Sequence, residues 1–176
     1  MSSRRQFLAA FGTTAAASVA GCSGGGSTAG TVARKDVTVA VPQQVGDPVE
    51  ASVALLGFEP DRSLVHGEYD PEHAGAAVDG ATLSVSEQTH DALADAFASV
   101  RYSVNVVPED GTEPVNGVVT REDFGALTVG GRATVDPRRG EDGLGRVGVR
   151  ETTPRESDPT TVTVSRFDLD ERLDRS

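Results

Sequence analysis

One thiol, three imidazoles and a string of closely spaced carboxylates are the groups in this chain that could do nucleophilic, metal or acid–base chemistry. Cys22 is the only cysteine, and its thiolate is the strongest nucleophile the chain can offer. It follows Val19-Ala20-Gly21, whose small side chains leave the backbone open to a peptidase. His66, Glu68, Asp70, Glu72 and His73 are the densest set of metal-ligand types, and in an extended strand the first three share one face. A metal site needs three or four ligands converging at about 2.0 to 2.6 Å, and no H-E-x-x-H, paired C-x-x-C or EF-hand loop supports that convergence. The remaining imidazole, His90, lies near Ser84, Ser86 and Asp91, a grouping that reads as a helix-capping region. No G-x-S-x-G elbow and no S-x-x-K accompanies it. Glu109-Asp110 and Glu141-Asp142 precede glycines, where turn formation explains them better than acid–base catalysis. Gly143-Leu144-Gly145-Arg146-Val147-Gly148 matches the dinucleotide glycine pattern, but that motif needs a helix after it, and here a strand is expected. These residues call for no cofactor and suggest no enzyme.

The leader gives Cys22 its meaning. Ser3-Arg4-Arg5-Gln6-Phe7-Leu8 opens it, a weakly apolar stretch runs from Phe7 to Ala20, and a small-residue site follows at Gly21. Gly12, Thr13, Thr14 and Ser18 dilute that stretch, which falls short of the roughly 20 apolar residues a spanning helix requires. SRRQFL resembles the twin-arginine motif read by the translocase for folded proteins, with Arg4, Arg5, Phe7 and Leu8 as the recognised residues. Val19-Ala20-Gly21-Cys22 resembles a lipobox, in which Val19, Ala20 and Gly21 set the cut and Cys22 takes the lipid. The resemblance implies a signal peptide over 1–21 and a protein held by lipid on the outer face of the cytoplasmic membrane, facing the extracellular medium. One acyl chain gives only marginal binding at ~0.8 kcal/mol per buried CH₂, so two chains are expected.

Arg4 and Arg5 are the only charges in that signal, so the mature chain keeps 14 basic residues against all 27 acidic ones, a net of −13. No basic patch offsets this, and nucleic acid is not expected as a partner. Only Lys35 is lysine, isoleucine is absent, and the acids are spread along the whole domain. Such a surface resembles that of halophilic archaeal proteins, and the chain as a whole resembles their twin-arginine-exported lipoproteins. At molar salt the Debye length is about 3 Å, so neighbouring carboxylates are screened. With Cys22 lipidated no thiol remains to form a disulfide, and a hydrophobic core must hold the domain.

The elements that must position any site read mostly as strands. Residues 22–35, led by Cys22 and rich in Gly and Ser, are expected as a flexible leash of roughly 20 Å. Residues 36–167 form one domain, and the charged 168–176 is expected to fray as a tail. Val37, Val39 and Val41 alternate with polar or small residues until Pro42. Ala51–Phe58 and Ser63–Tyr69 flank a Glu59-Pro60-Asp61-Arg62 turn. Asp70-Pro71-Glu72 predicts a helix N-terminus, with Gly80 available to stop it.

Thr82–Ser86 is a short strand, and the principal helix follows, with Thr89 as cap and Ala92, Leu93, Ala96, Phe97 and Val100 as its apolar stripe. Arg101–Val107 and Val115–Arg121 pair around Pro108-Glu109-Asp110-Gly111. In residues 120–135, Thr120 and Asp123 cap a helical turn, Phe124 and Leu127 face inward, and Gly130-Gly131 opens a strand to Val135. That stretch resembles the entry to SH3-like and OB-like barrels. Leu144–Arg150 and Thr160–Phe167 are the last strands. The fold expected is mainly β (α+β): a small barrel- or sandwich-like antiparallel domain of around eight strands with one principal helix.

The tether, the β-rich build and the missing catalytic motifs point to a non-catalytic module on the membrane that binds another envelope protein. The alternative is a ligand- or metal-binding envelope protein using His66, Glu68, Asp70 and His73.

Overall fold

Thr28–Val41 (β1) is the strand around which everything else is arranged. The computed structural model describes residues 26–139 and 145–175, so the twin-arginine and lipobox residues, Arg4, Arg5, Phe7, Leu8, Val19, Ala20, Gly21 and Cys22, lie outside the described residues. β1 starts at Thr28, inside the stretch expected as a linker over 22–35, and Val32 within it is fully buried. Its glycine serves close packing rather than slack. A Cβ at Gly30 would collide with the Val107 carbonyl on the neighbouring strand.

β1 pairs on both sides along its length. One flank carries Ser99–Pro108 (β6), and the opposite flank pairs at its start, over Thr28–Thr31, with Arg132–Arg139 (β8). Val115–Val119 (β7) joins β6, Gly145–Thr153 (β9) joins β8, and a single parallel bridge, Val118 to Arg146, links β7 to β9. The circuit β1-β6-β7-β9-β8 therefore closes on itself as a five-stranded barrel. Its order, with Arg121–Ala126 (α3) between the third and fourth barrel strands, follows the Greek-key path of OB-type barrels. Thr120 caps α3 by accepting from the Asp123 N–H, as its residue type predicts, and Phe124 and Leu127 are buried.

The far flank of β1 opens into a wing. Val49–Glu59 (β2) pairs antiparallel with β1, Leu64–Tyr69 (β3) with β2, and Thr161–Arg166 (β10) lies parallel on β3 as the outer edge. The main sheet thus has eight strands, and beside the antiparallel majority two neighbours, β3–β10 and β7–β9, are parallel. One face of the wing is covered by Pro71–Ala74 (α1), the small hairpin Val78–Asp79 (β4) and Thr82–Leu83 (β5), and Glu87–Ala96 (α2). Val53, Leu56, Val65, Ala74, Leu83 and Leu93 meet there. Each such valine or leucine side chain taken fully out of water contributes roughly 1.5 to 3 kcal/mol.

Several elements differ from expectation. Thr82–Ser86 keeps only Thr82–Leu83 as strand, because Ser86 leaves it to cap α2 by accepting from the Thr89 N–H. Thr89 is therefore inside the helix, which ends at Ala96; Phe97 is its C-cap and Val100 belongs to β6. Of the stripe on the helix itself, Leu93 is buried while Ala92 and Ala96 are exposed, since one buried turn suffices to dock so short a helix. Gly80 sits at positive φ in the β4–β5 turn rather than ending a helix. The charged tail is docked: Leu169–Leu173 (α4) buries Leu169. No helix among the described residues is long and apolar enough to cross a membrane.

Candidate functional site

The metal candidates are drawn apart by structural bonds. Asp70 accepts the His73 N–H at 2.9 Å as the α1 cap, the Leu169 N–H at 2.8 Å, and lies 2.9 Å from His73 Nδ1. Burial works to raise the Asp70 pKa, and those bonds outweigh it and hold it below the usual carboxylate range. His73 also packs at a tilt of 56° against Phe97, 4.9 Å between ring centroids. Glu68 is held by two bonds from Arg172, at 2.6 and 3.0 Å, which lower its pKa. His66 faces Glu59 at 3.7 Å. His66 and Glu68 lie two apart in β3 and so on one face of it, but each is held by a different partner, and β3 ends at Tyr69, one residue before Asp70 caps α1. Among the described residues no group of three or more His, Cys, Asp or Glu is placed to hold a metal.

The capping region near His90 has its own purpose. Ser86 caps α2, and His90 Nδ1 lies 2.7 Å from the Tyr102 hydroxyl, whose pKa burial pushes up to about 12. Gly145 to Gly148 lie inside β9, with strand continuing to Thr153, so the glycine pattern has no helix after it.

What the fold does assemble is an open groove of about 330 Å³ on the outer face of β1, β6 and β7, bordered by Gly145 of β9. Alternation along each strand sends Val104, Val106 and Val119 inward and leaves Ser103, Asn105 and Asn116 facing out. The register then puts Arg34 beside Asn105 and Asn105 beside Asn116, with Asp36 beside Ser103. Asn105 Nδ2 donates to Asn116 Oδ1 at 2.5 Å. Asp36, nearly buried, accepts from Arg34 Nη2 and from Ser52 Oγ, both at 2.7 Å. The floor thus offers amides, a hydroxyl and one fixed ion pair beside Val118, while the missing Cβ of Gly117 makes room for Val147 of β9. Such groups can hydrogen-bond an uncharged polar ligand.

Sequence reading missed these residues. Ser103 and Asn105 are visible as the polar phase of a strand, but only the β1–β6–β7 pairing shows that they join Arg34 and Asp36. No family model, no curated protein and no solved structure matches this chain.

Proposed function

We propose that the chain is a lipid-tethered, non-catalytic module on the outer face of the cytoplasmic membrane, facing the extracellular medium, that binds another envelope protein. The twin-arginine and lipobox residues support the tether, with lipid on Cys22 as its contact with the membrane. The observation that carries the binding role is the groove on β1, β6 and β7, whose Arg34, Asp36, Ser103, Asn105 and Asn116 present hydrogen-bonding polar groups on a rigid sheet. OB-type barrels use this face for ligands, which adds an analogy of fold and no more than that. An extended, uncharged segment of an envelope protein is the occupant that fits, because the cation and anion of the floor already neutralise each other.

Asn116→Arg places a long cation in the groove at an exposed position. Membranes prepared in multimolar salt should lose the co-purifying partner with that variant while the melting temperature stays within about 0.5 kcal/mol equivalent of wild type. Retention of the same partner by Asn116→Arg would remove the groove from the account.

A further inference from the structure

β10 is the outer strand of the eight-stranded sheet, and its backbone parity shows which groups it leaves open. Thr161 N–H donates to Ser63 O and Phe167 N–H to Tyr69 O, so the odd-numbered residues of this parallel ladder face β3. The N–H and C=O groups of Val162, Val164 and Arg166 therefore point away from the sheet. Among the described residues no strand pairs with that side.

Proteins blunt such edges with lysine, proline, bulges or a covering element. β10 carries no lysine or proline, and its register with β3 is continuous. Thr161 to Ser165 is an uncharged run of four β-branched residues and a serine in a chain of which 24% is charged, and Val162 is 44% exposed. The strand's one charge, Arg166, is turned back onto its own Tyr69 at 3.0 Å.

We propose that a second copy of this chain pairs with this edge, β10 against β10 in antiparallel register about a two-fold axis at Val164. In that register Val162 opposes Arg166 of the second copy, Val164 opposes itself, and every outward N–H and C=O meets a partner. Thr163 meets Ser165 across the axis, and no like charges face each other within the strands. A second copy fits because the edge has the composition an added strand requires, so each copy is both template and addition. Acids bracket the strand, Asp158 before it and Asp168 after it, so two copies approach with like charges at both ends. Salt therefore favours this dimer, whereas it would weaken a strand with basic flanks. A single edge buries little area, so the dimer is weak and concentration-dependent. The inference is independent of the groove and of lipidation.

The test is sedimentation equilibrium of the full-length chain carrying Cys22→Ser, in multimolar KCl and in dilute buffer, with Val162→Pro for comparison. The Val162 N–H faces outward, so proline there removes no bond to β3. The expected result is a monomer–dimer equilibrium that tightens with salt, and a Val162→Pro dimer weaker by at least about tenfold, or roughly 1.4 kcal/mol. Residue-resolved amide exchange serves as a second readout if Val162→Pro melts early. Val162, Val164 and Arg166 should gain protection with wild-type concentration, while Thr163 and Ser165 stay protected throughout. A wild-type monomer at every salt and concentration, a dimer that salt loosens, or exchange at these three amides that ignores concentration would overturn the proposal. The salt-loosened dimer would point instead to an edge built for another protein's strand.

Discussion

Lys35, the chain's only lysine, is 1% exposed, and burial alone shifts its titration, with no carboxylate among the described residues paired to it. A bulge at Ala33 shifts the alternation of β1 between Val32 and Arg34, so position 35 points into the interior. Its ammonium donates to Leu83 O of β5 and to Leu127 O at the end of α3, both at 2.6 Å, and lies 4.2 Å from the Phe124 ring centroid. One side chain thus fastens barrel, helix and inserted hairpin. Burial pushes its pKa down to about 7 from 10.5. Between those values the unfolded chain holds the proton that the folded chain has released, so stability rises as pH climbs from about 7 towards 10.5 and falls as pH drops back through 7. The melting temperature of wild type should follow that slope, and Lys35→Met should flatten it. At the alkaline end Lys35→Met should be the less stable protein, because two buried carbonyls lose their donor at about 1 to 3 kcal/mol each. An unchanged slope in the variant would mean that another group sets it. Lysine count was legible in the sequence, and burial was not, since it follows from a bulge that no residue type announces.

At the scale of elements, caps were the most legible features and ends the least. Asp70, Thr120 and the proline at position 71 sit where their chemistry places them, at the starts of α1 and α3. The α2 cap moved from Thr89 to Ser86 because both hydroxyls can accept from a first-turn N–H, and they lie 2.9 Å apart in the folded chain. Tail docking was invisible, because it depends on Asp70 reaching Leu169 across 99 residues. Asp70→Ala should cost about 2 kcal/mol by removing a cap and a buried bond together, and should expose α4 to limited proteolysis. Asp70→Asn keeps an accepting oxygen and should recover part of that loss. Since the Asp70 pKa is held below the usual range, its contribution is present above the unfolded carboxylate pKa and is lost as pH falls through the folded one. In β3, a Cβ at Gly67 would strike the Leu55 carbonyl of β2, so Gly67→Ala should separate these strands at a cost of several kcal/mol, read by denaturant midpoint.

At the scale of the whole molecule, the mainly β build with few helices was legible from alternation, β-branched runs and turn residues, with barrel and sandwich both open. Closure was not, since it rests on β1 pairing with β6 and β8 at once, and on one bridge between β7 and β9. The groove was hidden for the same reason: its residues are polar everywhere in the sequence and become a site only when three strands align. The acidic surface makes a separate prediction. Self-repulsion among the carboxylates weakens the fold in dilute buffer and is screened at molar salt, so the melting temperature should rise steadily with KCl. An unchanged value between dilute and multimolar salt would contradict that reading.

Partner capture has to respect the chemistry of this surface, because amine-reactive reagents find only the buried Lys35 among the side chains. The most direct measurement is therefore mass spectrometry of multimolar-salt membranes containing the full-length chain with a photoactivated crosslinking residue at position 116, reading the Cys22 peptide and the crosslinked neighbour together. The account predicts a lipidated N-terminal Cys22 and one dominant envelope protein crosslinked at the groove, lost when Asn105→Arg is added. An unlipidated Cys22 still joined to residues 1–21, or crosslinks scattered over many proteins and indifferent to Asn105→Arg, would contradict it.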